Sequence, residues 1–117
     1  MAESDTHKCL VSALVERIAL DFFFGDKGSI LVDSSSSSRE CKPPSIEGFV
    51  PDVYAKGFGG GFTVVGEAKT AGDIECRHSS DQFRAFLQHC SQRNNAVFIV
   101  AVPWHMTRFA KALISRC

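Results

Sequence analysis

Residues 48–70 read GFVPDVYAKGFGGGFTVVGEAKT. Two apolar runs, 49–55 and 62–68, flank Gly57, Gly59, Gly60 and Gly61. β-branched and aromatic residues fill both runs and the glycines supply a turn, so the stretch predicts a β-hairpin. Acidic groups stand where buried strands disfavour them. Asp52 follows Pro51 in the first run, and Glu67 in the second is followed two residues later by Lys69. Strand residues two apart share a face, so Glu67 and Lys69 project together while Ala68 points into packing. Asp52 is expected across the hairpin from Glu67. Two carboxylates and one ammonium then share a small volume. Desolvating a lone carboxylate is costly. A shared divalent cation relieves that cost, and Mg²⁺ takes one or two carboxylates together with waters and phosphate oxygens. Lys69 beside it is suited to orient an attacking water or to stabilise charge building on a phosphate.

Pro51-Asp52, followed on the next strand by Glu67-Ala68-Lys69, resembles the PD-(D/E)xK nuclease superfamily. Its small restriction-endonuclease-like and Holliday-junction-resolvase-like members are the most similar. The resemblance implies a metal-dependent endonuclease that hydrolyses DNA phosphodiester bonds, branched or junction DNA included. It implies Asp52, Glu67, Lys69 and Gln82 as catalytic residues. It implies Mg²⁺, with Mn²⁺ as a substitute, held by Asp52, Glu67, the Ala68 carbonyl and Glu16 of the first helix, with Asp21 as the other helical candidate. The alternative on the same fold is a nucleic-acid-binding or protein-interaction module with little or no cleavage. Three converging charges favour the enzyme over that module, and over an α/β domain with a chance motif.

Residues 5–24 carry Leu10, Leu14, Ile18 and Phe22 at helical spacing, with Asp5 or Thr6 as cap and Gly25 as stop. Ile30-Leu31-Val32 predicts a short strand. Residues 33–47 hold five consecutive serines and Pro43-Pro44, and predict a mobile loop. The glycine cluster lacks a following helix and any Gly-Lys-Ser/Thr, so it reads as a hairpin tip rather than a phosphate loop. Residues 71–80 read as a polar turn. A second helix is expected over 81–93, with Phe83, Phe86, Leu87 and Cys90 on one stripe. Ser79 and Gln82 match a capping box. The resemblance instead puts Gln82 beside the metal, and both readings stand. AVFIVAV at 96–102 predicts a central strand covered on both faces. A third helix is expected over 105–117. The expected order is αβββαβα, a mixed central sheet flanked by helices, which is the restriction-endonuclease-like α/β core.

The 117 residues suffice for one domain, 1–117, and not for two. No apolar run approaches the roughly 20 residues of a membrane span. Residues 1–8, MAESDTHK, show no basic segment leading into an apolar one. Five cysteines without tight spacing predict reduced thiols. A cytoplasmic or nucleoid-associated protein, neither secreted nor membrane-bound, is expected. The net charge is zero, yet residues 1–75 carry 7 basic and 12 acidic groups, whereas 76–117 carry 6 basic groups and Asp81 alone. That asymmetry suits either a solvated helix surface or a DNA-binding face. Arg77, Arg84, Arg108 and Lys111 are the phosphate-contact candidates. So small a domain predicts a homodimer on a duplex or a junction. Cys76, His78, His89 and Cys90 have poor zinc spacing, because adjacent helical residues diverge by about 100°. Trp104 and His105 follow the last strand and either contact a base or cover the sheet end.

Overall fold

The computed structural model describes residues 4–34, 42–57, 61–74 and 77–117. Most of the serine tract, Gly59 and Gly60 of the hairpin tip, and Cys76 lie outside the described residues.

Helix α1 spans Asp5–Phe22. Its cap is Ser4, whose hydroxyl accepts the His7 N–H at 3.1 Å, not Asp5 or Thr6. Its buried stripe is Leu14, Ile18 and Ala19. The helix stops two residues short of expectation, because Phe24 (φ 55°) and Gly25 (φ 86°) enter the left-handed region and turn the chain.

Strands β1 (Ile30–Val32), β2 (Val53–Lys56), β3 (Thr63–Ala68) and β4 (Ala96–Ala101) form one sheet in the order β1-β2-β3-β4. β1 and β2, and β2 and β3, are antiparallel; β3 and β4 are parallel. The crossover between β3 and β4 carries helix α2 (Ala71–Ile74) and helix α3 (Arg77–Ser91). Helix α4 (Thr107–Ser115) follows a 3-10 turn at Trp104–Met106. The protein is therefore mixed α/β, with a four-stranded mixed sheet and helices.

The sheet packs on both faces. Leu14 and Ile18 of α1 meet Val53, Ala55 and Val64. On the other face Val65 packs with Phe86 and Cys90 of α3. Phe83 of α3 packs with Ile74 and with Ala110 of α4. Neighbouring β3 residues Val64 and Val65 thus serve opposite layers, as the two-residue strand period requires. Gly66 follows Val64 onto the α1 face. A Cβ there would lie 2.9 Å from Leu14 Cδ2 and 3.2 Å from Val53 Cβ, so a side chain at this position would push on Leu14 where α1 approaches the sheet.

Three further expectations change. The first hairpin strand begins at Val53 rather than 49, because Phe49 is drawn into a bridge with Ile46 across the Glu47-Gly48 turn and Pro51 has no N–H to donate. The segment 71–80 is not a plain turn: it contains α2 and the start of α3. The run at 96–102 is not central. β4 lies at the sheet edge and is half-buried throughout, while β3 is buried at every residue. Apolar content marks a strand as covered but does not fix its place in the sheet.

Candidate active site

The register of the hairpin brings the two carboxylates together. Val53 pairs with Gly66, which sets Asp52 opposite Glu67 one step beyond the ladder. Asp52 is anchored on its other side as well, since its carbonyl accepts the Asp33 N–H at 2.9 Å. The Asp52 N–H donates to Glu67 Oε1 at 3.0 Å. In return, the Ala68 N–H donates to Asp52 Oδ2 at 2.9 Å. Each carboxyl is thereby fixed to the backbone of the other's strand.

Glu67 is only 3 % exposed, whereas the Asp52 side chain keeps 15 % and forms the wetter side of the pair. Burial pushes the Glu67 carboxyl up to about 9, helped by the Asp52 charge and a hydrogen bond between the two side chains. The Lys69 ammonium and the Asp52 N–H pull the other way without reversing it. At neutral pH Glu67 therefore holds a proton beside Asp52.

Lys69 leaves β3 on the same face as Glu67. Its N–H donates to the Ala101 carbonyl at 2.9 Å, and its ammonium lies 3.6 Å from Glu67 Oε2. The ammonium also donates to Gln82 Oε1 of α3. Both side chains are buried. Asp52, Glu67, Lys69 and Gln82 thus come together, with the Ala68 backbone beside them. Gln82 is not part of a capping box: Ser79 lies inside α3, where its hydroxyl donates to the Asp73 carbonyl at 2.5 Å.

Glu16 is elsewhere. It lies two residues from Leu14, on the far side of α1, where it is exposed and paired with Lys27. Asp21 is likewise exposed and paired with Arg17 at 2.9 Å. What α1 contributes to the site is His7, whose Nε2 lies 3.2 Å from Asp52 Oδ2 with 17 % of its side chain exposed. A signal for it was present, because His7, Val11, Leu14 and Ile18 follow one helical stripe and His7 is the polar member of an apolar face.

Arg77 and Arg84 on α3, and Arg108 and Lys111 on α4, are all exposed. The histidine and cysteine cluster makes no zinc site among the described residues. The His78 ring meets Phe49 edge-on, His89 meets Tyr54 in the same way, and Cys90 faces the core. Cys9, Cys90 and Cys117 are free thiols.

Comparison with family models, with curated proteins and with solved structures finds no match to this chain. Among the described residues no group of three or more His, Cys, Asp and Glu side chains forms a ready cation cage. Mg²⁺ needs fewer, since one or two carboxylates suffice when water and phosphate oxygens complete the shell. Asp52 and Glu67 are hard oxygen donors set against each other, and this donor set fits such an ion. No helix among the described residues is long and apolar enough to cross a membrane.

Proposed function

We propose that this protein is a Mg²⁺-dependent deoxyribonuclease of PD-(D/E)xK type, with Asp52 and Glu67 as metal-holding carboxylates and Lys69 as the group beside the scissile phosphate. The observation that supports this most is the convergence of Asp52, Glu67, Lys69 and Gln82 from two strands and a helix. A structural ion pair would need one cation and one carboxylate. Here a second carboxylate is buried against the first, at a cost that only a ligand or a proton offsets.

A divalent ion held by Asp52 and Glu67, with the Ala68 carbonyl as a further oxygen, would polarise a phosphate and acidify a bound water. The chain's own residues supply the rest. Gln82 orients the Lys69 ammonium toward the carboxyl pair. Lys69 neutralises charge that grows on the phosphate. Arg77, Arg84, Arg108 and Lys111 contact backbone phosphates without reading sequence. The restriction-endonuclease-like arrangement of the core, a homodimer on duplex or junction DNA and a cytoplasmic or nucleoid location belong to the same proposal.

Binding without cleavage is the second reading. It is favoured by the contact of His7 with Asp52 Oδ2, because Asp52 is one of the carboxylates that would hold the metal. The test is a panel of labelled linear and branched DNA incubated with Mg²⁺, Mn²⁺ or EDTA. Metal-dependent cleavage supports the nuclease. Tight binding with no cleavage by folded protein supports the second reading.

A further inference from the structure

The chain contains one tryptophan, and it is out in solvent: Trp104 is 87 % exposed. Tryptophan is among the side chains most strongly covered on average, so an exposed one at a fixed place is informative. Trp104 is fixed. It opens the 3-10 turn Trp104–Met106 after Pro103 (φ −55°), where the Met106 N–H donates to the Pro103 carbonyl at 2.8 Å. The Thr107 hydroxyl donates to the Trp104 carbonyl at 2.8 Å. The His105 ring stands edge-on to the indole, with centroids 5.9 Å apart at 82°. The indole is thus presented to solvent from a backbone tied on both sides.

The turn lies at the site's end of the sheet. Ala101, the last residue of β4, pairs with Ala68, and its carbonyl accepts the Lys69 N–H. Trp104 is three positions after Ala101, so their Cα atoms are at most about 11 Å apart. Beyond the indole, α4 presents Arg108 and Lys111, both exposed and three residues apart on one helix face. No acidic residue follows Asp81 in the sequence to oppose them.

We infer that Trp104 is a base-stacking platform beside the candidate active site, so that the substrate is a nucleic acid with an unpaired nucleotide next to the scissile phosphate. The nuclease proposal above supplies the class of ligand, and the stacking geometry narrows it. In a blunt duplex every base face is covered by its neighbours except at the two terminal pairs, so the interior offers none to an indole. A single strand, flap or branch point offers one, and its phosphates reach Arg108 and Lys111. Base–aromatic stacking tolerates any sequence because every base has a π-face. This agrees with a small domain in which the cationic residues named are phosphate-contact candidates.

The sole tryptophan makes the test direct. Intrinsic fluorescence is followed in EDTA as the full chain is titrated with an oligodeoxyuridylate of about 16 nucleotides, an oligouridylate of the same length, or a blunt duplex. Binding of labelled strands to Trp104→Ala and Trp104→Phe is measured by anisotropy. Saturable quenching by a single strand, weaker binding of the duplex, and a loss of about 5- to 150-fold in Trp104→Ala with most affinity kept in Trp104→Phe are expected. Quenching by either strand supports the inference, and the tighter of the two identifies the sugar. Absence of quenching by both strands, or an alanine variant that binds as tightly as the wild type, overturns it. The side chain is exposed, so both variants keep the fold, which circular dichroism checks. The two proposals fail separately. Stacking without metal-dependent cleavage removes the nuclease and leaves the platform; cleavage without quenching removes the platform and leaves the nuclease.

Discussion

Asp52 and Glu67 each hold the other's strand. The Asp52 N–H donates to Glu67 Oε1 at 3.0 Å while Asp52 Oδ2 accepts the N–H of Ala68, next to Glu67 in the chain, at 2.9 Å. Asp52→Ala therefore does two opposite things. It strips the buried Ala68 N–H of its acceptor, at a cost of about 1–3 kcal/mol. It also removes the charge and the hydrogen bond that hold the Glu67 proton on. Urea unfolding in EDTA should show a larger stability loss near pH 7 than near pH 9, where ionising Glu67 has become easier in the variant.

The wild-type protein should lose stability with rising pH when metal is absent. Glu67 goes from an ordinary 4.5 to about 9 on folding, so the folded state binds its proton more tightly. Its contribution is complete below the unfolded value and disappears as pH rises through the folded one. His89, lowered by burial and by Arg93, acts below its ordinary 6.5, and Cys90, raised by burial, acts above its ordinary 9.0. The window from about pH 7 to about pH 9 therefore belongs to Glu67. The urea midpoint should fall across it in EDTA, and Mg²⁺ should restore most of the loss by taking the place of the proton. A flat profile in EDTA contradicts the burial and coupling of Glu67.

Lys69 and Gln82 should separate by magnitude. Lys69→Met removes the cation beside Glu67 and should lower kcat by about 10²- to 10³-fold with little change in KM. Gln82→Ala removes only the acceptor that orients it and should cost about 10- to 100-fold. Equal losses in single-turnover cleavage would show that Gln82 touches the reacting atoms itself.

Phe24 offers a prediction far from the chemistry. It is fully exposed and lies in the left-handed region at φ 55°. Its ring contributes no packing to offset the strain. Phe24→Gly should raise the unfolding free energy by about 1 kcal/mol, the cost of holding an L side chain there. Thermal unfolding of the two proteins gives the comparison, and a loss of stability in the variant would mean that the ring packs against something in solution.

Much of the fold could be read from the sequence where local chemistry decided it. The α1 stripe, the hairpin and the edges of the last strand follow from periodicity and punctuation. The place of β4 in the sheet does not, because residues 96–101 are as apolar as a central strand and only the pairing of β3 with both β2 and β4 makes β3 the covered one. The start of α3 was obscured because Ser79 resembles a cap in sequence while its hydroxyl serves the Asp73 carbonyl. In the site, Asp52, Glu67 and Lys69 were legible from strand spacing. Gln82 was supplied by the family resemblance. Glu16 was proposed from that same resemblance, although its position two residues after Leu14 turns it away from the sheet. His7 could have been found by extending the α1 stripe one turn toward the N-terminus.

Glu67→Gln is the most direct test. The amide replaces a carboxyl that already holds its proton near neutral pH, so the variant should fold as the wild type does and resist unfolding better near pH 9 in EDTA. It can no longer serve as an anionic metal ligand. Initial rates of cleavage of labelled single-stranded, flapped, four-way-junction and linear duplex DNA are compared with Mg²⁺ and with EDTA. Wild-type cleavage that requires Mg²⁺, and a folded variant slower by at least about 10²-fold, is the predicted result. A folded wild type that leaves every substrate intact in Mg²⁺ and Mn²⁺, or a Glu67→Gln variant that cleaves at the wild-type rate, contradicts the assignment of Asp52 and Glu67 as a metal-holding pair.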